Sequence, residues 1–132
     1  MISILLVEDH AVLAEALSRF LHEAGLHHVV AIAPSAESAQ ERLPGIDVDL
    51  VLVDVSLPKM SGIDLVAKLH EHYPNLPCLM LSGHNAAQYV KRSLAAGARG
   101  YLLKEDVTGI LEGIEQVLQG KVYISKSLRE SQ

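Results

Sequence analysis

The sequence contains a single cysteine, Cys78, and no long apolar run. One cysteine can form neither an intrachain disulfide nor a cysteine-rich zinc site. No apolar stretch approaches the roughly 20 residues that a transmembrane helix needs. The apolar residues 2–7 have neither the basic start nor the cleavage site of a signal peptide. These absences predict a reducing, cytoplasmic setting and no membrane association.

Basic residues are also in deficit. Eleven Lys and Arg stand against sixteen Asp and Glu, so the formal net charge is -5. Such a chain has no general electrostatic attraction for nucleic acid or for an anionic membrane. We therefore expect this domain itself to bind no nucleic acid. The 132 residues, 49% of them apolar, suffice for one domain with a buried core.

What the sequence does have is a regular alternation of two kinds of segment. Five short runs rich in Val, Ile and Leu read as buried parallel strands; they cover residues 2–7, 28–33, 50–53, 78–81 and 99–103. Segments with helical periodicity lie between them, and Ser35, Ser61 and Asp106 stand where helix N-caps are expected. The pattern predicts an α/β fold of five βα units, with helices on both faces of an open parallel sheet.

The residues that follow the predicted strands carry most of the candidate chemistry. Glu8 and Asp9 follow the first strand, Asp54 the third, Ser82 the fourth and Lys104 the fifth. Taken singly these are ordinary: Asp9 could cap the first helix, and Asp54 could begin a turn. In open α/β sheets, however, ligands bind outside the carboxyl ends of the strands, so these side chains are expected to meet at one edge.

Three carboxylates that meet at one place repel each other unless one is protonated or a cation binds. Oxygen ligands favour Mg²⁺ over zinc or copper. A lysine and a serine hydroxyl beside them would suit an anion. The combination predicts a pocket for phosphoryl oxygens next to Mg²⁺.

Four stretches of this sequence resemble the response-regulator receiver domain, the phosphoacceptor module of two-component signalling. They are residues 6–10 (LVEDH), 53–62 (VDVSLPKMSG), 81–83 (LSG) and 97–104 (GARGYLLK). The resemblance covers about residues 2–118. It implies a flavodoxin-like three-layer (βα)5 sandwich with sheet order 2-1-3-4-5.

The resemblance also implies roles for the acidic residues. Asp54 would be the phosphoacceptor and a ligand of Mg²⁺. Asp9 would ligate the ion directly, and Glu8 directly or through water. The backbone carbonyl of Ser56 would be a further ligand.

On the other side of the site, Ser82 would hydrogen bond the phosphoryl group and Lys104 would pair with it. Tyr101 would be the switch aromatic whose rotamer follows Ser82. The residues by themselves do not indicate that role, since a tyrosine there is ordinarily a core or edge-strand residue. Ser56 and His84, each two positions after a site residue, would project at the mouth of the site, where they could tune the lifetime of the phosphoryl group. The alternative for His84, which we favour, is a solvated loop residue.

The implied partners are a sensor histidine kinase or a phosphotransfer protein, and a second copy of the chain after phosphorylation. Within the family, residues 97–104 (GARGYLLK) and 118–125 (LQGKVYIS) resemble regulators with a LuxR-type helix-turn-helix output. We therefore expect a receiver domain over residues 1–120 and a tail, or the start of a linker to an output domain, over 121–132. Control of transcription is the expected output. The alternative is a stand-alone receiver that acts through protein contacts or a phosphorelay.

Two sequence features bear on the dimer and on metal binding. The apolar residues Val107, Ile110 and Val117 widen the apolar stripe of the last helix, which favours a protein contact on that helix. The candidate dimer faces are helices one and five, or helix four with strand five and helix five. The histidines do not form a metal set, and His27-His28 reads as a helix-to-strand turn.

Three rival classes fit less well. An aspartyl-phosphate phosphatase would carry a second acid two residues after the nucleophile, where this chain has Ser56, and a lid domain for which there is no length. A flavodoxin or dinucleotide binder would need a Gly- or Thr-rich phosphate loop after strand one, where Glu8-Asp9-His10 has the wrong charge. A degenerate scaffold would have lost an acid or the lysine. We therefore expect a phosphoacceptor, not an enzyme.

Overall fold

The computed structural model describes residues 1–83 and 87–130. It contains six strands, β1 (Ile2–Val7), β2 (His27–Ala33), β3 (Leu50–Asp54), β4 (Cys78–Ser82), β5 (Gly100–Leu103) and β6 (Tyr123–Ile124). The helices are α1 (Ala11–Glu23), α2 (Ala36–Arg42), α3 (Gly62–His72), α4 (Ala87–Ala95), α5 (Val107–Leu118) and α6 (Lys126–Glu130), with a 3-10 turn at Leu43–Gly45. No helix within the described ranges has the length and apolar character needed to cross a bilayer.

All strands are parallel and the sheet order is β2-β1-β3-β4-β5-β6. The predicted order 2-1-3-4-5 is therefore confirmed, and β6 extends it by one short strand. Helices α1 and α5 pack on one face, whereas α2, α3 and α4 pack on the other. Strands β3, β4 and β5 are buried along their whole length, as expected for a parallel sheet covered on both faces.

Local signals in the sequence begin the helices where they were expected. The side chains of Ser35, Ser61 and Asp106 each accept a hydrogen bond from a backbone N–H three residues on, at 3.0–3.1 Å. The cap of α1 is His10, whose Nδ1 accepts from the N–H of Leu13 at 3.3 Å. Asp9 is thus not the residue that caps α1.

Several sequence expectations need correction. His27 and His28 lie within β2 and do not form a turn, because the strand begins one residue earlier than its apolar run. In α5, Ile110 and Val117 face the core and are 0% and 1% exposed, so of the three predicted residues Val107 alone widens the exposed apolar surface. They therefore give no support for a protein contact on that helix.

Within residues 121–132, the predicted tail or start of a linker, the structure has a short strand and a short helix, β6 and α6, and β6 pairs with β5. A strand of two paired residues is too short to show an alternation of apolar and polar residues. Its backbone hydrogen bonds with β5, and not a local sequence pattern, fix it as a strand. The predicted role of His84 concerns a residue outside the described ranges.

Candidate functional site

Neighbouring strand ends place the site. Strands β1 and β3 are adjacent in the sheet; Glu8 and Asp9 follow β1, and Asp54 ends β3. Ser82 ends β4, and Lys104 follows β5. The ladder continues past the strands, since the N–H of Lys104 donates to the carbonyl of Ser82 at 3.0 Å. The sheet register thus brings the predicted residues to one edge.

The acids form a compact cluster. Glu8, Asp9 and Asp54 each offer a carboxylate oxygen, and these oxygens lie within 4.8 Å of one another, close enough to share one metal ion. Glu8 and Asp54 are buried, at 1% and 3% exposure, whereas Asp9 is exposed. An all-oxygen donor set of this kind suits a hard cation.

Lys104 joins the two buried acids. Its Nζ lies 2.9 Å from Glu8 Oε1 and 3.2 Å from Asp54 Oδ2. Burial raises the pKa of Glu8, and the neighbouring Asp54 adds to this, although Lys104 opposes it. Burial lowers the pKa of Lys104, but the two carboxylates outweigh burial and the net direction is upward. Lys104 is therefore held as a cation at the centre of the site.

Backbone N–H groups complete the contacts of the two buried acids. The second oxygen of Glu8 accepts from the N–H of His10 at 3.2 Å, and Asp54 Oδ1 accepts from the N–H of Ser56 at 3.1 Å. In both bonds the donor is the backbone N–H two residues after the acid, at the start of the loop that follows the strand. They orient the carboxylates without a further side chain.

Gly62, eight residues after Asp54, allows a close backbone contact that shapes the loop after β3. The N–H of Gly62 donates to the carbonyl of Val55 at 3.0 Å, folding the loop back to the start of α3. A Cβ at Gly62 would overlap the backbone carbonyl of Asp54, with the carbonyl carbon only 2.8 Å away. No side chain fits there, so a glycine is required for close backbone approach. The same loop holds Lys59 at a φ of 62°, a left-handed conformation that sequence reasoning did not identify.

Ser82 and Tyr101 lie together next to the acidic cluster. Both are buried, at 1% and 0% exposure. Burial raises the pKa of the Tyr101 phenol, and the neighbouring Ser82 side chain opposes this shift. The structure therefore places the hydroxyl of Tyr101 on the Ser82 side of β5, and the ring within the sheet's α4 face.

Of the residues predicted for the site, Glu8, Asp9, Asp54, Ser82 and Lys104 thus come together, and Tyr101 lies behind Ser82. Ser56 is exposed and contributes its N–H to Asp54. Two features had no sequence signal: the Lys104–Glu8 contact, and the segment 123–130 beside Tyr101. Both depend on residues far apart in the chain.

Comparison with known proteins agrees with this geometry. Residues 4–115 match the family described as the response regulator receiver domain. The transcriptional regulatory protein DegU of Brevibacillus brevis is 36% identical over 93% of this chain and 52% of its own length. The nitrate/nitrite response regulator protein NarL of Escherichia coli is 31% identical over 96% of this chain and 59% of its own length. The chain thus spans a little over half the length of these relatives.

Among solved structures, a LuxR-family two-component response regulator from Aurantimonas sp. superposes with a TM-score of 0.94 at 26% identity, over 98% of this chain and 94% of that one. The match of the family extends through all the strand ends that carry the acidic cluster, Ser82 and Lys104. The chain therefore belongs to the response regulator receiver domain family.

Proposed function

We propose that this chain is a phosphorylation-controlled switch in which Asp54 accepts a phosphoryl group. One observation carries the proposal: the buried Asp54 carboxylate lies 3.2 Å from the Lys104 ammonium and within the acidic cluster at the carboxyl edge of the sheet. A purely structural ion pair between Lys104 and the two buried acids would not need a third carboxylate, Asp9, beside it. A phosphoacceptor site needs that carboxylate, because phosphoryl transfer requires a nucleophile, a cation site and a fixed positive charge together.

The donor is a phosphohistidine on a sensor histidine kinase or a phosphotransfer protein. An Asp54 oxygen attacks phosphorus, the new O–P bond forms as the P–N bond breaks, and the imidazole keeps the electron pair. Lys104 neutralises charge on the phosphoryl oxygens, and the hydroxyl of Ser82 donates a hydrogen bond to one of them. Beyond this transfer and slow hydrolysis of the acyl phosphate, we propose no enzymatic turnover.

The resident cation is Mg²⁺, held by Glu8, Asp9 and Asp54 and by the backbone carbonyl of Ser56. When bound, it supplies positive charge to the transferring phosphoryl group. The residues fit this ion because the donors are carboxylate oxygens and because Lys104 alone leaves an excess of negative charge in the cluster. Ser56 holds the loop through its N–H, which faces Asp54 Oδ1.

Phosphorylation is read by Ser82 and Tyr101. The added charge of about -2 recruits the Ser82 hydroxyl, and Tyr101 follows Ser82 because the two side chains are buried side by side. This stabilises one of two pre-existing conformations.

The output we propose is control of transcription, through a DNA-binding domain in a longer protein. It is supported by the names of relatives such as DegU and NarL, of which this chain spans a little over half. Residues 1–120 would be the receiver, 121–132 would lead to the output domain, and the protein would act in the cytoplasm. The alternative is a receiver that signals through protein contacts or a phosphorelay.

A second copy of the chain is a further proposed partner. A cavity of about 630 Å³ lies between the end of α1 and α5, and its lining includes Leu26, Leu111 and Leu118. Leu26 is 69% exposed, and this exposed apolar surface favours a dimer contact through α1 and α5. Sedimentation with Mg²⁺ and beryllofluoride should show a dimer that Leu26→Glu prevents; a monomer under both conditions would contradict it.

Labelling with acetyl phosphate tests the proposed function. In the presence of Mg²⁺ the wild-type chain should gain one phosphoryl group by mass spectrometry, and chelation of the metal should abolish the gain. Asp54→Asn should remain unlabelled, while Asp64→Asn, an exposed acid in α3, should label like the wild type. Labelling of Asp54→Asn at the wild-type level would refute the assignment, and turnover of free phosphoesters would indicate an enzyme instead.

A further inference from the structure

The edge segment, residues 123–130, is held against β5 by specific contacts. Tyr123 and Ile124 pair with Gly100 and Tyr101 in the parallel ladder. Ser125 is fully buried: its N–H donates to the carbonyl of Tyr101 at 2.9 Å, and its Oγ accepts from the N–H of Leu103 at 3.0 Å. The segment thus satisfies the backbone on both sides of Tyr101.

Side chains and glycines on β5 and α5 fit this segment. A Cβ at Gly100 would lie 2.6 Å from the carbonyl oxygen of Tyr123, and one at Gly113 would lie 3.0 Å from the Tyr123 ring. The Tyr123 hydroxyl donates to Glu112 at 3.2 Å, and the Arg129 guanidinium lies 5.3 Å from the centre of the Tyr123 ring. The groove is therefore shaped for its occupant.

The edge segment also occupies one particular side of Tyr101. Strand β5 lies between β4 and β6, so Tyr101 has Met80 as its register partner on one side and Ile124 on the other. Its hydroxyl lies on the β4 side, beside Ser82. Ile124 and Leu128 pack in the same apolar cluster as Tyr101, and Leu128 is 2% exposed. The space on the side away from Ser82 is thus filled by the segment.

We propose that the edge segment reads the position of Tyr101, docking when Tyr101 lies beside Ser82 and leaving β5 when Tyr101 swings towards the sheet edge. A phenol ring cannot enter volume that Ile124 and Leu128 already fill, because protein interiors are close-packed. Docking of the segment and the inward position of Tyr101 therefore stabilise each other. The inference rests on the proposed function, in which phosphorylation at Asp54 stabilises the position of Tyr101 beside Ser82.

Hydrogen exchange on the 132-residue chain tests this coupling. Mg²⁺ with beryllofluoride, a stable mimic of the acyl phosphate, should slow amide exchange across 123–130 by about fivefold or more, the lower end of usual couplings between two sites. Fluorine NMR reports separately whether beryllofluoride binds. Binding without slower exchange in the segment would overturn this inference alone. Absence of binding would overturn the proposed function and this inference with it.

Linkage is reciprocal, so weakening the segment must weaken binding at Asp54. Leu128→Ala should lower the affinity for beryllofluoride by about fivefold, the same factor. Leu43→Ala is the matched control: this leucine is equally buried, at 4% exposure, but lies in the 3-10 turn after α2. Equal losses in the two variants would overturn the coupling. If Leu128→Ala does not fold, Ser125→Ala, which removes only the acceptor for Leu103 N–H, replaces it.

Discussion

The ammonium group of Lys104 lies 2.9 Å from Glu8 Oε1 and 3.2 Å from Asp54 Oδ2. The lysine therefore pairs with a proposed cation ligand, Glu8, as well as with the proposed phosphoacceptor, Asp54. Two buried carboxylates on adjacent strands would otherwise repel each other, so Lys104 stabilises the fold at the place where the chemistry occurs. Its side chain is still 24% exposed, which leaves it able to move towards an incoming phosphoryl group.

Removal of that charge should make the fold depend on the metal. Lys104→Gln is expected to lower the free energy of unfolding by about 2 kcal/mol without Mg²⁺, because Glu8 and Asp54 lose their buried partner. Added Mg²⁺ should recover more stability in the variant than in the wild type. Urea unfolding with and without Mg²⁺ measures both. Lys68→Gln, an exposed lysine in α3, is the control and should change neither value; equal Mg²⁺ effects in Lys104→Gln and wild type would contradict the pairing.

Gly62→Ala tests the close approach in the loop after β3. The added Cβ would overlap backbone atoms of Asp54, which cannot move aside as a side chain can. We expect a loss of about 1–3 kcal/mol in stability, typical of overpacking, together with slower labelling by acetyl phosphate. Gly45→Ala is the matched control, since nothing lies within 4 Å of its Cβ position. Thermal unfolding that ranks the two variants equally would show that the contact does not matter.

His27 predicts a pH dependence of stability. Burial lowers the pKa of its imidazole below the ordinary 6.5, and its Nδ1 has no hydrogen-bond partner among the described residues. The unfolded chain therefore takes up a proton at this histidine first as the pH falls, so stability should decrease from about pH 6.5 down through the folded pKa. The slope should be smaller in His27→Gln. Identical pH profiles from urea unfolding of the two proteins would contradict the prediction.

Cys78 should be unreactive in the native protein. Burial raises the pKa of its thiol to about 12, and Arg99 opposes this only in part. Only the thiolate reacts with alkylating reagents, so labelling by iodoacetamide at pH 8 should require unfolding. The chain has no other cysteine, and the labelling rate should therefore rise with urea in parallel with the unfolded fraction. Native labelling as fast as that of the unfolded chain would show that β4 opens locally.

Much of the fold could be predicted because its signals are local. Uninterrupted apolar runs mark strands covered on both faces, and Ser35, Ser61 and Asp106 mark helix starts because a side-chain oxygen three residues before an unpaired N–H is enough to cap it. The extra strand β6 could not be predicted in this way. Two residues carry no periodicity, and β6 forms by pairing with β5, which is distant in sequence.

The same division holds for the site. The sequence by itself determined which residues reach the carboxyl edge of the sheet, because polar side chains interrupt the apolar runs at Glu8, Asp54 and Ser82 and parallel strands end together. Only the tertiary structure decided that Lys104 pairs with Glu8, that Tyr101 is buried beside Ser82 and that residues 123–130 fill the far side of Tyr101. These contacts join residues from different strands, and their distances depend on register and packing, which no local pattern encodes.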